Sequence, residues 1–220
     1  MKASPFSLQL FLTLFLLPGL GKSDPDPLQD YCVADQNARK SFFINGAPCI
    51  DPSEATPRHF ATSALSKPGN TKNLFGFNST LTNTANLPGL NTQGLSLARI
   101  DLAANGIVPP HSHPRASEVT ICLKGSILVG FVNTTNFLYT QNLRPGDSFV
   151  FPRGLVHFLY NVDPMASALA LSGLSSQNPG VQVASQAAFA SRAPIPDEVL
   201  KKAFQISASD VARIRKNLGG

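Results

Sequence analysis

The stretch that decides the fold is "GIVPPHSHPRASEVTICLKG", residues 106–125. The whole chain has four histidines, and His111 and His113 stand here one residue apart. Alternate side chains on a strand share a face, so the two imidazoles point the same way. Glu118 follows His113 by five positions and would face away on an unbroken strand. The segment "PRAS" (114–117) is turn-like, however. The chain can leave one strand, bend, and enter the next with Glu118 turned inward. Pro109 and Pro110 stiffen the approach to the two histidines. This is the spacing needed for three ligands of one metal ion, two from a strand end and one from the start of the next strand.

Working outward, residues 95–172 consist of short apolar or alternating runs. "LSLARIDLA" alternates, and "EVTICLKGSILVGFV" reads as two strands around Gly125. "FLYTQNL", "DSFVFP", "LVHFLYNV" and "ASALALSGL" follow, separated by turn signals at "NG" (105–106), "RPGD" (144–147), "PRG" (152–154) and "DP" (163–164). Short strands punctuated this regularly predict an antiparallel sandwich or barrel. Residues 23–75 are rich in Pro, Asp, Asn and Ser and read as an extended segment with loops. "PDEVLKKAFQI" (196–206) and "SASDVARIRKNL" (207–218) have helical spacing, with Pro196 suited to a first turn and Ser207 and Asp210 to a capping pair. The expected fold class is mainly β: a jelly-roll β-barrel with an extended N-terminal segment and a C-terminal helical tail.

A fourth ligand has two candidates among the remaining histidines. His59 lies in the polar "TPRHFATS" and reads as a surface residue. His157 lies in "GDSFVFPRGLVHFLYN" (146–161), on a strand flanked by apolar residues. Alone it would be read as a hydrogen-bonded wall residue. Beside His111, His113 and Glu118 it reads as the fourth ligand. Three imidazoles and one carboxylate, with no thiolate, suit Mn, Fe, Cu, Ni or Zn.

The first residues stand apart from the fold. Lys2 precedes the apolar "FSLQLFLTLFLLPGL" (6–20), followed by small residues and the polar "KSDPDPLQD". The run is broken at Pro18 and is short for a bilayer span, so residues 1–22 read as a secretory signal peptide rather than an anchor. Secretion favours pairing Cys32 with Cys49, which closes a loop of about 18 residues and contributes about 3 kcal/mol. Cys122, inside an apolar strand, reads as a small buried hydrophobe. Asn78 and Asn133 open N-glycosylation sequons. The 220 residues are 43% hydrophobic and 14% charged, which argues against disorder. The net charge of +5 is spread out, without a dense basic run, and does not support nucleic-acid binding.

The chain resembles the germins and germin-like proteins of plants, within the cupin superfamily. The first cupin motif matches residues 106–125 and the second residues 146–161, while "QDYCVAD" (29–35) matches the germin N-terminal box. The resemblance spans essentially the whole mature chain. It implies a division into signal peptide (1–22), disulfide-bearing segment (23–75), cupin barrel (76–190) and C-terminal helices (191–220). It also implies manganese on His111, His113, Glu118 and His157, and a Cys32–Cys49 disulfide. Further implications are a secreted apoplastic glycoprotein and a homohexamer built as a trimer of dimers. Two departures stand out. Asn105 replaces a glycine often found before Gly106, and asparagine tolerates a left-handed turn. Oxalate-oxidising germins carry two pocket asparagines, whose positions are occupied here by Ala98 and Val108. Neither side chain can donate a hydrogen bond to orient a dianion.

The resemblance therefore implies a superoxide dismutase producing hydrogen peroxide in plant defence, with a small anionic or oxygen-derived substrate. Oxalate oxidase activity is expected to be weak or absent. The competing reading is a non-catalytic storage, receptor-like or structural wall protein in which the metal braces the barrel.

Overall fold

The computed structural model describes residues 29–38 and 46–219. The expected signal peptide, residues 1–22, lies outside them. Among the described residues, ten strands form two antiparallel five-stranded sheets. The strands are β1 (Phe77–Leu81), β2 (Ser96–Leu102), β3 (Ile107–Ser112), β4 (Glu118–Lys124), β5 (Ile127–Val132), β6 (Leu138–Leu143), β7 (Ser148–Phe151), β8 (Val156–Asn161), β9 (Ala168–Leu174) and β10 (Gln182–Val183). One sheet has the order β1-β2-β9-β4-β7 and the other β10-β3-β8-β5-β6. Most of the runs picked out in the sequence become strands with one face turned inward, while β6 is exposed along all but its last residue. In β9, for example, every second residue from Ala168 to Leu174 is buried. The facing sheets enclose a core that includes Ile100, Leu102, Ile127, Val129, Phe151 and Leu159. The mainly β, jelly-roll expectation is met.

Asn105 adopts φ 53°, the left-handed turn expected of it, between β2 and β3. Cys122 is fully buried in the core, where burial pushes its thiol pKa up. Cys32 and Cys49 are disulfide-bonded. Asn91, itself fully buried, secures the chain beside this bridge: its side chain accepts from Ala47 N–H at 2.9 Å and donates to the Ala47 carbonyl at 2.8 Å. The short strands β1 and β10 do not stand out in the sequence. "FNSTL" carries three polar residues in five, and β10 has only two residues.

Three helices follow: α1 (Ala184–Phe189), α2 (Asp197–Phe204) and α3 (Ala208–Asn217). The two longer ones match the periodic runs; α1 was not anticipated. Pro196 sits one position earlier than expected, at the N-cap of α2. Ser207 and Asp210 form the anticipated reciprocal cap on α3. Phe189, Leu200 and Val211, one from each helix, make a separate small core.

The segment before β1 is strapped to the barrel by one part-buried pair. Arg99 bonds Asp101 through Nε at 3.0 Å and Nη2 at 2.9 Å, and donates Nη1 to the Leu65 carbonyl at 3.1 Å. Asp101 also accepts from Gly69 N–H at 2.8 Å. Replacing Asp101 with alanine removes the acceptor for both groups. The expected loss is about 1–3 kcal/mol. At about 2–4 °C per kcal/mol for a domain of this size, thermal denaturation should show a midpoint several degrees lower. An unchanged midpoint would mean that the strap does not contribute to stability.

Candidate metal centre

The Pro109-Pro110 pair shapes the site. Neither proline has an N–H to donate to the ladder, and the register of β3 against β8 shifts between Val108 and His111. Beyond the shift, His111 lies directly opposite His157. His113 follows the end of β3, and Glu118 opens β4 in the other sheet. The four side chains therefore meet between the sheets, with ligand atoms all within 4.8 Å of one another. All four are buried. His59 is not in the cluster; its Nδ1 accepts from Thr56 N–H in a 3-10 turn, Pro57–Phe60.

Each imidazole is held by a backbone carbonyl. His111 Nδ1 donates to Pro109 at 2.9 Å, His157 Nδ1 to Leu155 at 2.9 Å, and His113 Nδ1 to Gly180. A carbonyl can only accept, so Nδ1 carries the proton, and in the neutral ring Nε2 keeps its lone pair for a metal. The Gly180 carbonyl is itself positioned. Arg115, from the "PRAS" turn, donates to the Asn178 carbonyl at 2.7 Å. Gly180 has φ +68°, and a Cβ there would meet the Arg115 guanidinium at 2.8 Å. A residue other than glycine would strain the backbone and displace the clamp.

Glu118 is fixed from behind. Its Oε1 accepts from the Thr120 hydroxyl at 2.8 Å, and Thr120 shares a 2.6 Å hydrogen bond with Ser172 across β4 and β9. Its Oε2 faces His113 Nε2 at 3.0 Å and His157 Nε2 at 3.4 Å. Burial opposes ionisation of Glu118, but the imidazoles of His113 and His157 and the Ser172 hydroxyl outweigh it and hold the carboxyl well below its usual range. Burial, reinforced by His157, lowers the His111 pKa to about 4, so this ring is neutral at physiological pH. For His113 burial acts the same way, but Glu118 and the Gly180 carbonyl outweigh it and raise the pKa.

Glu118 Oε2 and His157 Nε2 are buried without a hydrogen-bond partner. Orphaned buried polar atoms are costly. A divalent cation between them would satisfy both, and the nitrogen/oxygen donor set suits a first-row ion. The residues therefore fit a metal.

A cavity of about 250 Å³ opens onto this cluster. Ala98 and Val108 both line it, together with His111, His113 and Glu118. The two positions singled out in the sequence thus lie beside the candidate ligands. The Thr120–Ser172 chain was not foreseen. Thr120 could have been, because it shares the inward face of Glu118 two residues on; Ser172 is brought there only by strand pairing.

Comparison with known proteins agrees with this geometry. The Cupin family model matches residues 63–212. Germin-like protein subfamily 1 member 1 of Arabidopsis thaliana is 59% identical over 97% of this chain and 99% of its own length. The chain belongs to the germin-like proteins of the cupin family. Germin-like protein 3-1 of Oryza sativa subsp. japonica is 56% identical over 96% of both chains. Among solved structures, an oxalate oxidase superimposes on this germin-like chain with a TM-score of 0.84 at 42% identity, covering 88% of this chain and 97% of its own.

Replacing His157 with alanine should abolish stoichiometric uptake of divalent metal, measured by elemental analysis of the purified protein. Thr120→Val, which frees Glu118 to rotate, should weaken metal affinity by about 10–100-fold. Full uptake by the His157 variant would remove that residue from the ligand set.

Proposed function

We propose that this chain is a secreted, manganese-binding germin-like glycoprotein of the plant apoplast that dismutates superoxide to hydrogen peroxide, in a role in defence. The observation that carries this is the convergence of three lone-pair nitrogens and an orphaned carboxylate oxygen on one point beside a cavity. Manganese held by His111, His113, Glu118 and His157 would supply one-electron redox chemistry. Two superoxide ions and two protons give one peroxide and one dioxygen. Three neutral imidazoles and one carboxylate would leave a bound divalent ion a net charge of +1 toward an approaching monoanion. The apolar walls limit competing water.

The same cavity disfavours oxalate. Ala98 and Val108 offer it no hydrogen bond, and a dianion would leave its second charge unpaired against apolar walls. A second reading is a structural metal, favoured by the position of the cluster between the two sheets. Homo-oligomer formation, as a trimer of dimers, is part of the proposal. It is supported by an apolar row across the outer face of one sheet, where Leu97, Gly173, Val119 and Val150 lie side by side in register. Leu97, Val119 and Val150 are 41%, 49% and 54% exposed, which suits a covering partner. For the glycan, Asn133 on the β5–β6 hairpin turn is the better-placed acceptor, since the backbone of Gly69 packs directly on the Asn78 side chain.

Superoxide dismutation by the purified protein should disappear on metal stripping and return with manganese. A manganese-replete protein without turnover, whose melting temperature falls on stripping, would establish the structural reading instead. Oxalate oxidation should be weak or absent, and the double variant Ala98→Asn/Val108→Asn should raise it. No gain in the double variant would overturn the pocket argument.

A further inference from the structure

The cavity beside the metal ligands is not shaped for oxygen species alone. Its walls include Phe77, Leu81, Ile100, Leu159, Leu174 and Val183. Apart from the metal-site residues themselves, Ser79 supplies the one polar side chain among the described residues lining it. Val181, also in the lining and 65% exposed, marks where the cavity meets solvent. At about 30 Å³ per water, and with a methylene group of similar size, 250 Å³ accommodates about eight non-hydrogen atoms. Superoxide has two.

Charge selects the head of the ligand. A divalent ion with three neutral imidazoles and one carboxylate keeps one positive charge, which a monoanion neutralises. A dianion overcompensates and must bury its second charge against carbon. The walls select the body, since apolar surface is stabilised by apolar contact and not by hydroxyl or amide groups. Both requirements are met together by an organic monoanion with one oxygen-acid group and an unbranched or compact hydrocarbon body of about five carbons.

We propose that the cavity is a binding site for such amphipathic monocarboxylates, with the carboxylate at the metal and the hydrocarbon body along Ile100, Leu159 and Leu174. This rests on the metal-centre reading above. The ligand occupies the space through which superoxide reaches the ion, so the two compete. Ala98 matters here because its methyl group continues the apolar wall at a point where asparagine would place an unpaired amide.

The test is calorimetric titration of the full manganese-loaded protein with acetate, butanoate, hexanoate and oxalate at constant ionic strength, with metal content measured in parallel. Affinity should rise about fourfold for each added methylene up to hexanoate, and oxalate should bind no more tightly than acetate. In Ala98→Asn the hexanoate affinity should fall at least tenfold while manganese content is unchanged. Equal affinity along the carboxylate series, or tighter binding of oxalate than of hexanoate, would overturn the proposal. So would undiminished hexanoate binding by metal-stripped protein, because the head group would then not be anchored at the metal. These failures leave the metal centre standing, since the loaded protein from which each sample derives is shown to contain manganese. A protein that takes up no manganese overturns the metal centre and this proposal with it.

Discussion

A carboxylate buried among three imidazoles is an unstable arrangement unless positive charge balances it. Glu118 is 3% exposed and has no lysine or arginine partner among its hydrogen bonds. Its Oε2 faces ring nitrogens of His113 and His157, whose protons are directed elsewhere, toward backbone carbonyls. Such a cluster would be strongly destabilising as a purely structural feature of the barrel. It becomes favourable when a cation sits where the lone pairs converge. Much of the surrounding structure serves this point: the prolines that shift the β3 ladder, the Arg115 clamp on the 178–180 loop, and the Thr120–Ser172 hydroxyl pair behind the carboxylate.

The two sheets contribute unequally. β3 and β8 bring the histidines, and β4 brings the carboxylate. The site therefore exists only when the sheets are closed on each other, and the core of Ile100, Leu102, Ile127, Val129, Phe151 and Leu159 is what closes them. Phe151 stacks on His157, with ring centroids 4.4 Å apart and planes inclined by 21°. The hydrophobic core thus reaches directly to the ligand set. The cavity also borders the cluster, through His111, His113 and Glu118, and its remaining walls are largely apolar.

Strand periodicity, the turn signals and the paired cysteines were legible because they are local properties of the chain. So was the ligand cluster, because His111, His113 and Glu118 are neighbours in sequence and His157 lies on a strand of the same pattern. β1, β10 and α1 escaped notice. β1 mixes polar residues into its short run, β10 is too short to have a period, and α1 has a single buried residue, Phe189. The carbonyl acceptors for the histidines left no trace in the residue types, since every residue carries a carbonyl. The 2.6 Å bond between Thr120 and Ser172 spans 52 residues and depends on the pairing of β4 with β9.

Taken alone, the sequence determined the strand-rich architecture and the four candidate ligands, because periodicity and ligand chemistry are carried by residue type and spacing; the two altered pocket positions, Ala98 and Val108, came from the resemblance to the germins. Only the tertiary structure decided that Ala98 and Val108 border the same cavity as the candidate ligands, that the imidazoles present Nε2 inward, and that the remaining walls are largely hydrocarbon. Those properties depend on which faces of β1, β2, β3, β8, β9 and β10 meet. The reason is physical: ligand identity belongs to individual side chains, whereas the volume, polarity and charge balance of a cavity arise from surfaces that are far apart along the chain until the sheets pack.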